Sequence, residues 1–237
     1  MLYQDKVIDP QLVEQVLQDD ELYQYLRTFV TPNKKALFEE VLSHRTRHLT
    51  VLLEDLYLPQ NASAVLRSAD CFGVQDVHIV EINHKYKINP KVVRGASKWI
   101  DRHHYTDTST AIQSLKDKGY KVAATTPHTD MELDDLPLDN KVALMFGQER
   151  NGLTDTALEE ADYRIKIPMY GFTESFNISV SAAICFNHII TKLRHRPDID
   201  WKMSEEERKE LETIWVLKNI KRSDVYLREY IKRGQNK

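Results

Sequence analysis

Apolar residues along this chain of 237 residues change their spacing twice. Near the amino end Leu12, Val13, Val16 and Leu17, and then Leu37, Phe38, Val41 and Leu42, recur at three- and four-residue intervals, the signature of one helical face. Asp9-Pro10 and Thr31-Pro32 mark the two starts, each a capping oxygen followed by a proline whose fixed φ suits the first helical turn. From Leu49 onward short apolar runs alternate with helical stretches. The runs at 49–53, 77–80, 99–103, 122–125, 142–146 and 163–167 read as strands. Helices are expected at 61–71, capped by Asn61 and closed by Gly73, and at 110–118, 154–160 and 176–193. This alternation predicts an α/β fold with a mostly parallel sheet and helices on both faces. Past Pro197 the pattern is helical again, with Ser204 and Glu207 as a capping box ahead of Leu211, Ile214, Trp215 and Leu217. The expected domains are helical extensions at 1–48 and 196–237 flanking an α/β domain at 49–195.

Composition narrows the class. With 33 Lys+Arg against 36 Asp+Glu, 41% hydrophobic residues and no long apolar run, the chain reads as soluble, without a membrane partner and without the signature of disorder. It opens Met1-Leu2-Tyr3-Gln4-Asp5, unlike an export leader. Cys71 and Cys185 stand alone, which excludes a disulfide framework and any Cys-x-x-Cys site. A reducing, cytoplasmic setting is the expectation.

The seven glycines include no Gly-x-Gly, so a dinucleotide fingerprint is absent. Gly147 and Gly152 have the spacing of a Walker A loop, but Leu153 stands where its lysine would be. His44 and His48 are spaced i,i+4 with Arg45 in place of a zinc protease's glutamate, and no metal is expected. Ligands of open α/β folds bind beyond the carboxyl ends of the strands. Three segments there carry polar groups: Asn61 with Arg67; Phe146-Gly147-Gln-Glu149 through Gly152-Leu153; and Ile167-Pro168-Met169 with Ser175 and Asn177. Singly, each has a plain reading: Asn61 as an N-cap, Arg67 as a surface ion-pair partner, the glycines as turns, and Ser-Phe-Asn as a cap for the helix that follows.

Together, these segments resemble the three motifs of the SPOUT superfamily of methyltransferases, and within it the SpoU/TrmH family of RNA ribose 2′-O-methyltransferases. The likeness spans 49–190 and keeps the order and spacing of Asn61-x5-Arg67, Phe146-Gly147-x-Glu149-x2-Gly152-Leu153, and Ile167-Pro168-Met169 with Ser175-x-Asn177-x2-Val180-Ser181. The short helical ends are more similar to members acting on tRNA than to ribosomal-RNA members with a larger N-terminal domain.

The resemblance implies a deep C-terminal trefoil knot and S-adenosylmethionine as cofactor. Thr125, Phe146, Gly147, Ile167, Met169 and Phe176 would hold that cofactor, Gly147 leaving room for it by lacking a side chain. Arg67, Asn61, Ser175, Asn177 and Glu149 would serve the reaction, Arg67 by orienting and stabilising the attacking oxygen, Asn61 by fixing Arg67 or the ribose, and Glu149 by pairing with an arginine or anchoring its loop. The implied substrate is the 2′-hydroxyl of guanosine 18 in the tRNA D-loop. A 23S ribosomal RNA methyltransferase and a knotted RNA-binding protein without catalysis are the alternatives. A homodimer is implied too, and the apolar helix after Asn177, with Ile178, Val180, Ala183, Ile184, Phe186, Ile189 and Ile190, agrees with it.

Charge is uneven despite the formal net of -3. Stretch 85–102 holds six Lys+Arg against Asp101 alone, and 192–237 holds 13 against nine acids, whereas 130–162 holds ten acids against Lys141 and Arg150. Lys34, Lys35, Arg45 and Arg47 on the first extension, and Lys221 and Arg222 with Lys218 and Arg228 on the last, are the expected tRNA contacts, with 85–102 as the fallback.

Overall fold

The structure, a computed structural model, describes residues 8–223, 225–227 and 229–230. In chain order they form α1 (Pro10–Gln18), α2 (Asp20–Arg27), α3 (Pro32–Ser43), β1 (Leu49–Glu54), α4 (Pro59–Phe72), β2 (Asp76–Val80) and the short α5 (Pro90–Val93). There follow β3 (Asp101–Tyr105), α6 (Thr108–Asp117), β4 (Tyr120–Thr125), β5 (Lys141–Phe146), α7 (Asp155–Glu160), β6 (Tyr163–Ile165), α8 (Ile178–Arg194) and α9 (Glu205–Asn219). They divide into two compact units, one drawn from both ends of the chain, up to Arg45 and from Met203, and the other spanning Thr46–Lys202.

In the unit of chain ends, α1, α2 and α3 each pack on α9. The capping chemistry read from the sequence is present at both ends of this unit. Asp9 accepts from Gln11 N–H at 2.9 Å, and Ser204 and Glu207 exchange hydrogen bonds at the start of α9. Val16, Leu22, Leu26, Phe38, Leu211 and Trp215 are buried. The pattern predicted two amino-terminal helices, and the described residues form three. Asp19 ends α1 and caps α2 by accepting from Leu22 N–H at 2.9 Å, so one acid breaks what reads as a single stretch. Thr31, expected to cap α3, makes no capping bond.

The second unit is built on a six-stranded sheet in the order β3-β2-β1-β5-β4-β6, every adjacent pair parallel. Period-two alternation sends Leu49, Val51 and Leu53 of β1, with Val142, Leu144 and Phe146 of β5, into the core under α4 and α8. Leu52, Met145, Val122 and Ala124 point to the opposite face, where they pack with Ala111, Ile112 and Leu115 of α6 and Ala157 of α7. Both faces are thus covered, which explains the near-continuous apolar runs of the central strands.

The main departure is at the edge. Strand β3 begins at Asp101, not at 99, because Trp99 and Ile100 belong to the turn before it. Its side chains are only partly buried, so an edge strand of Asp, Arg, His and Tyr carries no apolar signature. Helix α4 starts at Pro59 with Leu58 as its cap, which places Asn61 inside the first turn and not at the cap.

Candidate active site at the carboxyl edge of the sheet

Strands β1 and β5 are neighbours, with Leu53 level with Phe146, and β5 and β4 follow in register through Ala124 and Met145. Residues that follow these strands therefore emerge side by side. Glu149, three residues beyond β5, turns its carboxylate to the start of α4. It accepts from Tyr57 N–H at 3.1 Å, Leu58 N–H at 3.3 Å and the Asn61 side-chain amide at 2.7 Å. The first backbone N–H groups of a helix lack partners and carry its positive end, so an anion there fills a capping role that Leu58 cannot. Asn61 in turn accepts through Oδ1 from the Asn177 amide at 3.2 Å. Asn177 is the N-cap of α8, its own Oδ1 accepting from Ser179 N–H and Oγ. One network thus joins all three segments singled out in the sequence.

The loop that carries Glu149 closes on itself. Gln148 and Gly152 exchange backbone hydrogen bonds at 2.9 and 3.0 Å, and Gly152 has φ +69°, a conformation that favours glycine. A Cβ on Gly147 would lie 2.2 Å from Gly152 C and O. The first demand on Gly147 is therefore made by its own loop, not by a ligand.

Two carboxylates that sequence reasoning passed over support this edge. Glu54, buried at the end of β1, accepts from Thr108 Oγ1 at 2.6 Å, Thr154 N–H at 2.9 Å and Thr154 Oγ1 at 2.7 Å, linking β1 to the starts of α6 and α7. Asp55, also buried, has φ +47° and accepts the N–H groups of Ile82, Asn83 and His84 at 2.8–3.0 Å. The Asn83 and Gln148 amides reach its Oδ2 at 3.0 and 2.9 Å. Burial by itself would raise the Asp55 carboxyl, but donors from His84 and Asn83 outweigh it and hold the group below the usual carboxylate range. A Glu-Asp pair closing an apolar strand is the signal that could have found them.

Other expected site residues fall in different places. Thr125 ends β4 level with Ile165 and donates through Oγ1 to Met145 O at 2.8 Å, while the Phe146 side chain is buried in the core. Ile167 and Met169 are half-buried, and Ser175 and Phe176 are exposed. Arg67 is not brought to Asn61: six residues along α4 separate them by about 9 Å of rise and much of a half-turn, one buried and the other exposed. Among the described residues Glu149 meets no arginine, and its carboxylate instead binds the α4 start.

Two of the expected tRNA contacts are otherwise engaged. Arg45 is 2% exposed, its guanidinium 5.4 Å from the Trp215 ring centroid. Arg47 holds Asp76 at 3.1 Å and Asp101 at 3.0 Å. Their charges serve packing and the sheet edge, a distinction that residue type alone does not carry. Lys34 and Lys35 are half-buried on α3, Lys218 is half-buried on α9, Lys221 and Arg222 are exposed, and Arg228 lies outside the described residues.

Fold and site define an open parallel α/β unit with a polar hydrogen-bonded network at the carboxyl edge of its sheet and, among the described residues, no glycine-rich phosphate cradle. A model of the SpoU rRNA Methylase family matches residues 48–187, and the chain belongs to that family. It is similar to the tRNA (guanosine(18)-2'-O)-methyltransferase of Borreliella burgdorferi, 41% identical over 197 residues that cover 83% of this chain and 90% of the relative. The A. aeolicus TrmH/SpoU tRNA modifying enzyme aligns with TM-score 0.72 and 25% identity, over 80% of this chain and 98% of that one. The SpoU methyltransferase AviRb from Streptomyces viridochromogenes, in complex with the cofactor AdoMet, shares the fold with TM-score 0.58 and 21% identity, over 66% and 64% of the two chains.

Proposed function

We propose that the chain transfers a methyl group from S-adenosylmethionine to the ribose 2′-hydroxyl of guanosine 18 in the tRNA D-loop. The observation that carries this reading is the hydrogen-bonded chain Glu149–Asn61–Asn177, which unites the three motif segments at one edge of the sheet. The relative with 41% identity over most of both chains bears that activity in its name.

The residues at the ends of β4, β5 and β6 suit a cofactor with an adenine, a methionine arm and no phosphate. Among the described residues, Ile167 and Met169 make no hydrogen bond through their backbone groups, so these half-buried amides and carbonyls are free to read an adenine edge. Thr125, Gly147, Ile167 and Met169 would hold the cofactor, the Phe146 backbone and Phe176 beside them. When bound, it supplies an electrophilic sulfonium methyl group.

The chain's own task is to prepare the attacking oxygen. Arg67 is exposed, and among the described residues its guanidinium has no hydrogen-bond or ion-pair partner. A guanidinium is a poor base and a strong donor, so Arg67 orients the 2′-oxygen and stabilises its developing negative charge. The proton passes to water or to an RNA phosphate. Ser175 positions the substrate, and the Asn61–Asn177 pair holds motif one against motif three.

The reading includes a trefoil knot, a homodimer and a cytoplasmic setting. For the knot, a connection at 126–140, with one short 3-10 turn at Leu133–Asp135, joins β4 to β5 and exchanges hydrogen bonds with Lys166 just beyond β6, Leu133 N–H to Lys166 O at 2.9 Å and Lys166 N–H to Met131 O at 3.0 Å. For the dimer, Tyr170, Phe172, Phe176 and Val180 expose apolar surface along one stretch. Cys71 and Cys185 are both free thiols, in keeping with a reducing setting.

Radiolabelled methyl transfer to unmodified tRNA, followed by nucleoside mapping, tests the reading. The expected product is 2′-O-methylguanosine at position 18. Arg67→Ala should abolish it while cofactor affinity by calorimetry stays unchanged. Label only in ribosomal RNA, or none, would overturn the proposal.

A further inference from the structure

Between the end of β2 and the start of β3 the chain runs from Ile82 to Ile100 without one acidic residue and with five Lys or Arg. Most of it is neither helix nor strand, yet it is tied down at several points. Asp55 accepts three consecutive N–H groups at 82–84. Glu81 accepts Tyr86 N–H at 2.6 Å, and Ser63 on α4 takes Asn89 N–H at 3.0 Å and meets Tyr86 Oη at 3.3 Å. Tyr86 and Ile88 pack on the core, and α5 packs on α4.

This anchoring fixes where the cations point. Residues 85–88 alternate, Lys85 and Lys87 exposed, Tyr86 and Ile88 half-buried; Lys91 and Arg94 on and just after α5 are exposed as well. Among the described residues none of these four side chains has a hydrogen bond or an ion pair. They thus differ from Arg47, held by two aspartates, and from Arg45, which is buried. Ordered, exposed and uncompensated positive charge is what a polyanion backbone requires.

The anchor also sets the direction. Ser63, where the segment docks, lies four residues before Arg67 on α4, so the two share a helical face with Arg67 about 6 Å farther along. We propose that Lys85, Lys87, Lys91 and Arg94 form a phosphate-gripping strip. It carries the RNA strand along the side of α4 where the segment docks over the buried Ser63, so that the target ribose meets the exposed Arg67. This rests on RNA being the substrate and adds the surface of the catalytic unit that receives it.

The test is a variant with all four residues changed to Gln, compared with one carrying Lys85→Arg, Lys87→Arg and Lys91→Arg. Binding of an unmodified tRNA transcript is titrated from low to high salt, which needs no turnover. Each phosphate contact contributes about -0.7 to -0.9 to the logarithmic salt slope, so the Gln variant should bind with a slope shallower by about 3. Its Michaelis constant for tRNA should rise, with cofactor affinity and thermal midpoint unchanged, while the Arg variant behaves as wild type. An unaltered slope and Michaelis constant in the Gln variant would overturn the strip while leaving the methyltransferase reading intact. Equal losses in both variants would show a role other than charge and would also overturn it. Absence of methyl transfer by the wild type would instead remove the reading on which the strip rests.

Discussion

At Gly147 a Cβ would stand 2.2 Å from Gly152 C and 2.3 Å from Leu153 N, too close for either backbone atom to yield without moving the loop. That loop carries Glu149, whose carboxylate binds the α4 start and Asn61. A methyl group at 147 therefore acts at one remove on the whole Glu149–Asn61–Asn177 network. Overpacking of this kind costs about 1–3 kcal/mol, so Gly147→Ala should weaken cofactor binding by about 5- to 140-fold where that strain falls on the binding loop. Gly171, where an added Cβ meets nothing within 4 Å, is the control, and Gly171→Ala should leave affinity unchanged. Calorimetric titration of both variants decides the matter; full affinity in Gly147→Ala would mean that the loop tolerates opening. The motif spelled out the glycine, but its reason was legible only once residues 147 and 152 were seen folded together.

Strand β3 is the element whose side chains most nearly hid it, and β2 and β3 together carry the clearest titration. His78 on β2 is buried, stacked on His103 of β3 at 4.5 Å, and hydrogen-bonded through Nδ1 to Tyr105 Oη at 3.0 Å. Burial pushes its imidazole down to about 3; His103 and Lys118 add to the effect and Asp76 opposes it. An unfolded histidine takes up a proton below about pH 6.5, whereas folded His78 stays neutral until near 3. Protons then favour the unfolded chain, so this contribution is complete above pH 6.5 and is lost as pH falls from 6.5 toward 3. By pH 5 the loss is about 2 kcal/mol. His48 and His188 are also lowered by burial and act with the same sign, which makes the variant the proper comparison. Urea unfolding of His78→Gln at pH 7.5 and pH 5 should show a smaller pH difference than wild type. An identical difference would refute the assignment.

Across the molecule, the homodimer proposed above makes a prediction of its own. Phe172, on the stretch that links the β6 end to α8, is fully exposed, and Val180, in the first turn of α8, is 45% exposed. Most of the remaining apolar side of α8 is already occupied, since Ala182, Cys185, Phe186, Ile189 and Ile190 are buried within the same unit. The apolar circumference read from the sequence is thus mainly core, and only the Val180 region is left for a second copy. Placing charge there with Phe172→Glu and Val180→Glu should shift sedimentation toward the monomer with little change in thermal midpoint. An unchanged sedimentation coefficient would move the interface elsewhere. Of the proposed tRNA contacts in the unit of chain ends, Arg45 drops out, because it packs on Trp215.

The sequence by itself determined the alternation of strands and helices, the helix starts at Asp9, Thr154 and Ser204, and the residues of the three motifs. These are local matters: periodicity reports which face is apolar, and a capping oxygen acts within three residues. Tertiary structure decided which faces meet and which polar groups pair. Nothing local indicates that α1, α2 and α3 pack on α9 from the far end of the chain, or that β5 inserts between β1 and β4. The same holds for Asn61, which reads as a cap and is instead the joint between Glu149, 88 positions later, and Asn177, 116 positions later. Arg45, Arg47, Lys85 and Lys87 are alike in a charge count. Burial and pairing separate them, because a cation already desolvated or neutralised at home has no field left to offer a phosphate.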